Sequence, residues 1–161
     1  TVGVEDDPDV FATQVHVNLL GAQRLLSMLV PGMVERRRGD VVLVTSDVVE
    51  NPRPRMSSYV ASKWGLEGFA RALQKELEGT GVRASILRPG PASTGQGSTW
   101  DPTQIDAVLG EWTRWGFMRH AGYLRPGEIA DTVVAMVSVP RGTHLALVEI
   151  QPEAPVVEDQ P

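Results

Sequence analysis

The spacing of apolar residues changes several times along this chain, and each change marks an element. Val10, Phe11, Val15, Leu19, Leu20, Leu25, Leu26 and Leu29 recur at near-helical intervals as far as Pro31-Gly32. Asp7-Pro8-Asp9 opens the run with an N-cap residue, a proline suited to the first helical position and an acid where the helix dipole favours one. The pattern predicts a surface loop over residues 1–6 and a long helix after it. Beyond the basic turn Arg36-Arg37-Arg38-Gly39-Asp40, the run Val41-Val42-Leu43-Val44 shows no alternation, which predicts a strand buried on both faces, as in a parallel sheet. Ser57-Ser58 predicts the N-cap of a second helix, reaching about Glu78 with Leu66, Phe69, Ala70, Leu73 and Leu77 as its apolar stripe. A second strand is expected over 82–87, ended by Pro89-Gly90-Pro91. The pattern loosens over 92–123, which predicts a lid with a short helix over 105–115. A third helix from Arg125-Pro126-Gly127-Glu128 to Pro140 and a third strand over 144–150 follow, then a loosely held tail over 152–161.

Strands alternating with helices at this spacing predict an α/β fold, a parallel sheet with helices on both faces. At 161 residues and 42% hydrophobic, the chain suits one domain or most of one. Its net charge of -5 and the absence of a basic stripe argue against nucleic acid as a partner. The absence of Cys removes disulfides, thiolate catalysis and Cys-based zinc sites, and His16, His120 and His144 show no metal-ligand spacing, so no metal is expected. No apolar run in the sequence approaches the roughly 20 residues that span a bilayer. A cytoplasmic protein without a membrane partner is expected.

Candidate chemistry lies between residues 18 and 94. Tyr59 and Lys63 stand four apart at the start of a predicted helix, so phenol and ammonium project from one face. A phenol is a poor proton donor or acceptor at neutral pH unless a cation stabilises its anion, and Lys63 can be that cation. The same spacing also fits a solvated helix face. Ser46 ends the first strand, at the edge where open parallel sheets place their functional crevice, although a turn role also fits it. Pro89-Gly90-Pro91-Ala92-Ser93-Thr94 ends the second strand at the same edge and leaves backbone groups and hydroxyls for a ligand.

Taken together, Asn18, Thr45-Ser46, Tyr59-Val60-Ala61-Ser62-Lys63 and Pro89-Gly90-x-x-x-Thr94 resemble, in order and spacing, the second half of short-chain dehydrogenases/reductases. The resemblance implies the carboxy-terminal portion of a doubly wound, Rossmann-like fold, with 1–151 as the catalytic part, 92–124 as its substrate-binding lid and 152–161 as a tail. It implies a catalytic tetrad in which Tyr59 is the general acid/base, Lys63 lowers its pKa and holds the nicotinamide ribose, Ser46 holds the reacting oxygen and Asn18 positions a water. NAD or NADP would be bound by Tyr59, Lys63, Pro89, Gly90, Ala92 and Thr94, and hydride would pass to or from a small carbonyl or secondary-alcohol substrate. Trp100, Trp112 and Trp115 occupy the family's substrate-loop position and are expected to line an apolar pocket, with core or interface packing as the alternative. A homodimer or homotetramer through the first two helices is also implied.

The family's Gly-rich turn T-G-x-x-x-G-x-G, its charged residue after the second strand and its N-N-A-G stretch do not occur in this sequence. The adenosine half of a cofactor site is therefore expected from elsewhere, whether the sequence is a fragment or a second chain completes the fold. Two other readings stay open: an interaction module derived from such an enzyme, and a non-redox epimerase or dehydratase of the same fold.

Overall fold

The computed structural model describes residues 7–94 and 102–156. Three parallel strands organise it: β1 (Gly39–Val44), β2 (Val82–Pro89) and β3 (Leu147–Ile150), in the order β1-β2-β3. Gly39 pairs with Val82 and Val44 with Leu87, while Ile86 pairs with Leu147 and Pro89 with Ile150. The central strand, β2, is buried along most of its length. β1 is an edge strand and its Val44 is 40% exposed, so the expected burial on both faces describes β2 rather than β1. β3 is shorter than expected: residues 144–146 lie outside it, and there the His144 ring meets β2, with Nε2 donating to Ala84 O at 3.0 Å.

One continuous helical rod precedes the sheet: α1 (Pro8–Val15), a π turn (His16–Leu20) and α2 (Gly21–Glu35). Asp7 caps it, its Oδ1 accepting from Asp9 N at 2.9 Å. Pro31 was expected to end this helix but lies inside α2. Its missing N–H removes one helical hydrogen bond, yet Met33 and Val34 beyond it pack against the core, and that burial carries the helix on. The rod, Pro8–Glu35, is 28 residues long and apolar enough by composition to cross a membrane. This corrects the expectation that no stretch approaches such a length: polar residues interrupt the apolar ones in sequence, and the helix gathers the latter onto faces. Ala22, Leu26 and Val30 lie against the core, whereas Val17, Leu25 and Met28 are exposed.

α3 (Ser57–Glu76) crosses the sheet with Leu66, Ala70 and Leu73 buried. These residues, with Leu77 beyond the helix, meet Val41, Leu43, Val82, Ala84 and Ile86 of the strands to form the core. The N-cap position belongs to Met56 and carries no side-chain cap, so Ser57-Ser58 does not cap as expected and instead forms the first turn. Gly65 lets α3 touch the π turn: a Cβ there would stand 2.9 Å from Leu19 Cδ2. α4 (Pro102–Arg114) and α5 (Pro126–Ser138) follow β2, and Arg125 N donates to Glu128 Oε2 at 2.8 Å at the start of α5.

One charged cluster is buried between α3 and the sheet. Glu67 and Arg88 are 2% and 5% exposed. Arg88 Nε donates to Glu67 Oε2 at 2.8 Å and its Nη2 to Oε1, while Arg71 Nη2 reaches Glu67 Oε1 at 2.8 Å and Arg88 Nη2 reaches Glu50 at 2.8 Å. Burial pushes the Glu67 carboxyl up, but hydrogen bonds from Arg88 and Arg71, together with their charges, outweigh it and hold the carboxyl below the ordinary carboxylate range. Removing one partner leaves a buried charge uncompensated, so Glu67→Ala should cost about 3–5 kcal/mol in denaturant unfolding. A folded-state pKa below the unfolded one stabilises fully above the unfolded value and is lost as pH falls through the folded one. Glu67→Gln should accordingly flatten the acid limb of the stability profile, and an unchanged limb would contradict this account.

Candidate active site

The ladder between β1 and β2 extends one residue past the strand, with Thr45 N donating to Leu87 O at 2.8 Å, and delivers Ser46 to the carboxyl edge of the sheet. Ser46 is extended (φ -171°) and caps a short 3-10 turn, Asp47–Val49. Its Oγ accepts from Val48 N at 3.4 Å and donates to Asp47 Oδ1 at 3.3 Å. From the first turns of α3, Tyr59 and Lys63 approach the same edge. Lys63 Nζ lies 5.7 Å from the Tyr59 ring centroid and donates to Val44 O at 3.0 Å. Burial lowers the Lys63 pKa from the ordinary lysine value, since the charged form is the one that loses solvation.

β2 supplies the opposite wall. Gly90 N donates to Ile150 O at 2.8 Å, and Leu124 N and Ser93 N bond Pro91 O and Leu124 O at 2.8 Å each, so the segment after the strand is held rather than loose. These walls enclose a cavity of about 400 Å³, lined by Ser46, Tyr59, Lys63, Pro89, Gly90, Ala92 and Thr94. α4 and the chain after it cover the cavity with Ile105, Leu109, Trp112, Met118 and Tyr123. The cover is fastened to the loop before α3: Trp112 Nε1 donates to Pro54 O at 3.0 Å and Arg55 pairs with Glu111 at 2.8 Å.

Eight of the expected site residues thus meet in one cavity: Ser46, Tyr59, Lys63, Pro89, Gly90, Ala92, Thr94 and Trp112. Asn18 does not line it. Asn18 sits in the π turn and donates from Nδ2 to Ser62 Oγ at 3.0 Å and Gln14 Oε1 at 3.1 Å, bracing α3 beside Lys63. Trp115 is a correction: it is 63% exposed, with Arg114 5.4 Å above its ring, and does not line the cavity. α4 ends at Arg114 and the chain turns at Gly116 (φ 73°), which leaves Trp115 on the outside. Trp100 lies outside the described residues.

Sequence reasoning missed Asp47 and Arg53. Arg53 bonds Asp47 through its two terminal guanidinium nitrogens, at 3.1 and 2.5 Å, and the two side chains are 9% and 5% exposed. Asn51-Pro52-Arg53-Pro54 reads as a surface turn, and only the rigidity that two prolines confer hinted that this arginine is held in place.

A parallel sheet with helices and a crevice at its carboxyl ends is an α/β architecture, as expected, and corresponds to a portion of a Rossmann-like fold. The model of the short chain dehydrogenase family matches residues 3–104, and the chain belongs to this family of oxidoreductases. It is 33% identical over 150 residues to 2,3-dihydro-2,3-dihydroxybenzoate dehydrogenase of Escherichia coli (strain K12), covering 91% of this chain and 58% of that protein. It is similar in structure to an alcohol dehydrogenase of the archaeon Thermococcus sibiricus complexed with 5-hydroxy-NADP, with TM-score 0.75 and 26% identity, covering 98% of this chain and 60% of that one. A Brucella melitensis 3-oxoacyl-[acyl-carrier protein] reductase with bound NAD is similar at TM-score 0.73 and 27% identity, covering 92% and 53%. The chain therefore spans somewhat more than half the length of these proteins.

Lys63 and Lys75 are the lysines of this sequence, and they are displaced in opposite directions. Burial lowers Lys63, while the hydrogen bond and charge of Glu78 raise the exposed Lys75. After reductive 13C-methylation, two lysine signals should titrate separately by NMR, with the Lys63 signal moving at the lower pH. Coincident titration would refute the burial of this ammonium.

Proposed function

We propose that this chain forms the reacting part of a nicotinamide-dependent oxidoreductase that interconverts a carbonyl compound and a secondary alcohol. The observation that carries this reading is the convergence of Ser46, from the end of β1, with Tyr59 and Lys63, from α3, on one cavity. In this reading Tyr59 holds the exchanged proton at its phenol oxygen, within bonding reach of the substrate oxygen. Lys63, 5.7 Å from the Tyr59 ring, favours the phenolate by its charge. Ser46 Oγ orients the reacting oxygen, and the apolar cover of Leu109, Trp112 and Met118 keeps water from it. Asn18 acts from behind, fixing Ser62 and so the turn of α3 that carries Lys63.

The residues present fit a nicotinamide. An ammonium has three donors, of which Val44 O takes one from Lys63, so donors remain for ribose hydroxyls. Gly90 offers side-chain-free backbone at the cavity wall, with Ala92 and Thr94 beside it. When bound, the dinucleotide supplies or accepts the hydride. The solved relatives carry NAD in one case and an NADP derivative in the other, so turnover with both NADH and NADPH belongs in the first assay. The exposed apolar residues of the rod, with Trp64 of α3 at 55% exposure, support a homodimer or homotetramer through these helices.

Tyr59→Phe should lower carbonyl reduction by about 10²–10⁴-fold, the range of a lost general acid/base, with cofactor affinity nearly unchanged. Activity within a few-fold of wild type would sink the assigned role. Lys63→Ala should weaken both turnover and cofactor binding, since one ammonium serves the phenol and the ribose, and an unaltered cofactor Kd would contradict this.

A further inference from the structure

Among the described residues that line the cavity, the charged side chains are Asp47, Arg53 and Lys63. Lys63 stands at the Tyr59 end, bonded to Val44 O. Arg53 stands on the Ser46 side, bonded to the Asp47 carboxylate that also accepts from Ser46 Oγ, and its Cζ lies 5.7 Å from the Trp112 ring centroid, so a substrate whose reactive oxygen is at Ser46 and Tyr59 lies next to it. An arginine facing a substrate cavity is ordinarily a carboxylate or phosphate receptor, because its planar fork binds such groups through two parallel hydrogen bonds. Here the two terminal nitrogens of that fork already donate to Asp47, a carboxylate from within the same protein. The pair is almost fully buried, so little water remains to screen it, and the Asp47 carboxylate would repel a second anion brought to the same arginine. Met56, Ile105, Leu109, Met118 and Ile129 add apolar surface to the cavity lining.

We propose that Asp47 and Arg53 determine specificity, Asp47 acting as a built-in carboxylate that occupies Arg53 and restricts the site to uncharged, predominantly apolar carbonyl or alcohol substrates. This inference rests on the oxidoreductase reading for the location of the reacting oxygen. Replacing Asp47 by Asn keeps the shape of the side chain but removes its charge, and so frees Arg53 to receive a carboxylate from the substrate.

The test uses a matched pair of ketones, acetophenone and 4-acetylbenzoate, which differ by one carboxylate. Turnover with nicotinamide cofactor and the Kd of each ketone by calorimetry are measured on wild type, Asp47→Asn and the double variant Asp47→Asn/Arg53→Met. Wild type should prefer acetophenone. Asp47→Asn should shift the ratio of the two affinities toward 4-acetylbenzoate by about tenfold or more, the scale of one gained ion pair, and this is read in the Kd ratio because Asp47 also accepts from Ser46 Oγ and its replacement changes kcat for both ketones. The double variant should return to the neutral ketone. A loss of packing alone would weaken both ketones together and leave the ratio where it was. The proposal is overturned if wild type binds 4-acetylbenzoate as well as acetophenone, if Asp47→Asn leaves the ratio within about twofold, or if its shift survives in the double variant. The Kd ratio is read without turnover. An absence of catalysis would therefore count against the oxidoreductase reading, whereas the roles of Asp47 and Arg53 stand or fall on the two affinities.

Discussion

A buried ion pair must be satisfied where it lies, and the Glu67–Arg88 pair imposes that condition on most of this chain. A charge moved out of water costs several kcal/mol unless a partner and further hydrogen bonds meet it. Glu67 therefore has to face Arg88 and Arg71 at once, while Arg88 has also to reach Glu50. Thr45 Oγ1, donating to Glu67 Oε2 at 3.4 Å, brings the end of β1 into the same cluster. Apolar packing alone would tolerate α3 slipping along the sheet by a fraction of a turn. The fixed geometry of a guanidinium on a carboxylate does not.

That constraint reaches the site through helix geometry. Tyr59, Lys63 and Glu67 follow one another at intervals of four along α3, so they lie along one face. Holding Glu67 against Arg88 sets the height at which Lys63 meets Val44 O and at which Tyr59 enters the cavity. Arg88 in turn immediately precedes Pro89-Gly90, so the pair that locates the helix also locates the opposite wall. The π turn adds a second brace, because the inserted residue lets Asn18 reach Ser62 while Leu19 packs at Gly65.

Much of this was legible in the sequence because it is local. Strand runs 41–44 and 82–87, the apolar stripe of α3 and the Tyr59–Lys63 spacing need only the periods of helix and strand, and all were found with ends shifted by a few residues. What failed depended on contacts distant in sequence. Pro31 looked like a helix end until Met33 and Val34 found the core. Ser57 looked like a cap although the chain enters α3 through Met56. Trp112 and Trp115 were indistinguishable as letters three apart, and only the turn at Gly116 and the bond to Pro54 O separate the one in the cavity from the one in solvent. Nothing in the sequence neighbours of Arg88 and Glu67 announces that they face each other.

The same distinction divides the cavity. Ser46, Tyr59 and Lys63 are residues whose spacing is readable, at the end of a strand and in the first turns of a helix. The wall beside them is built where segments remote in sequence cross: Asp47 after β1, Arg53 between two prolines, Trp112 on α4. No periodicity in the sequence announces those crossings. A one-third identity to a relative therefore establishes the family, whereas substrate choice must be read from the contacts this chain itself makes.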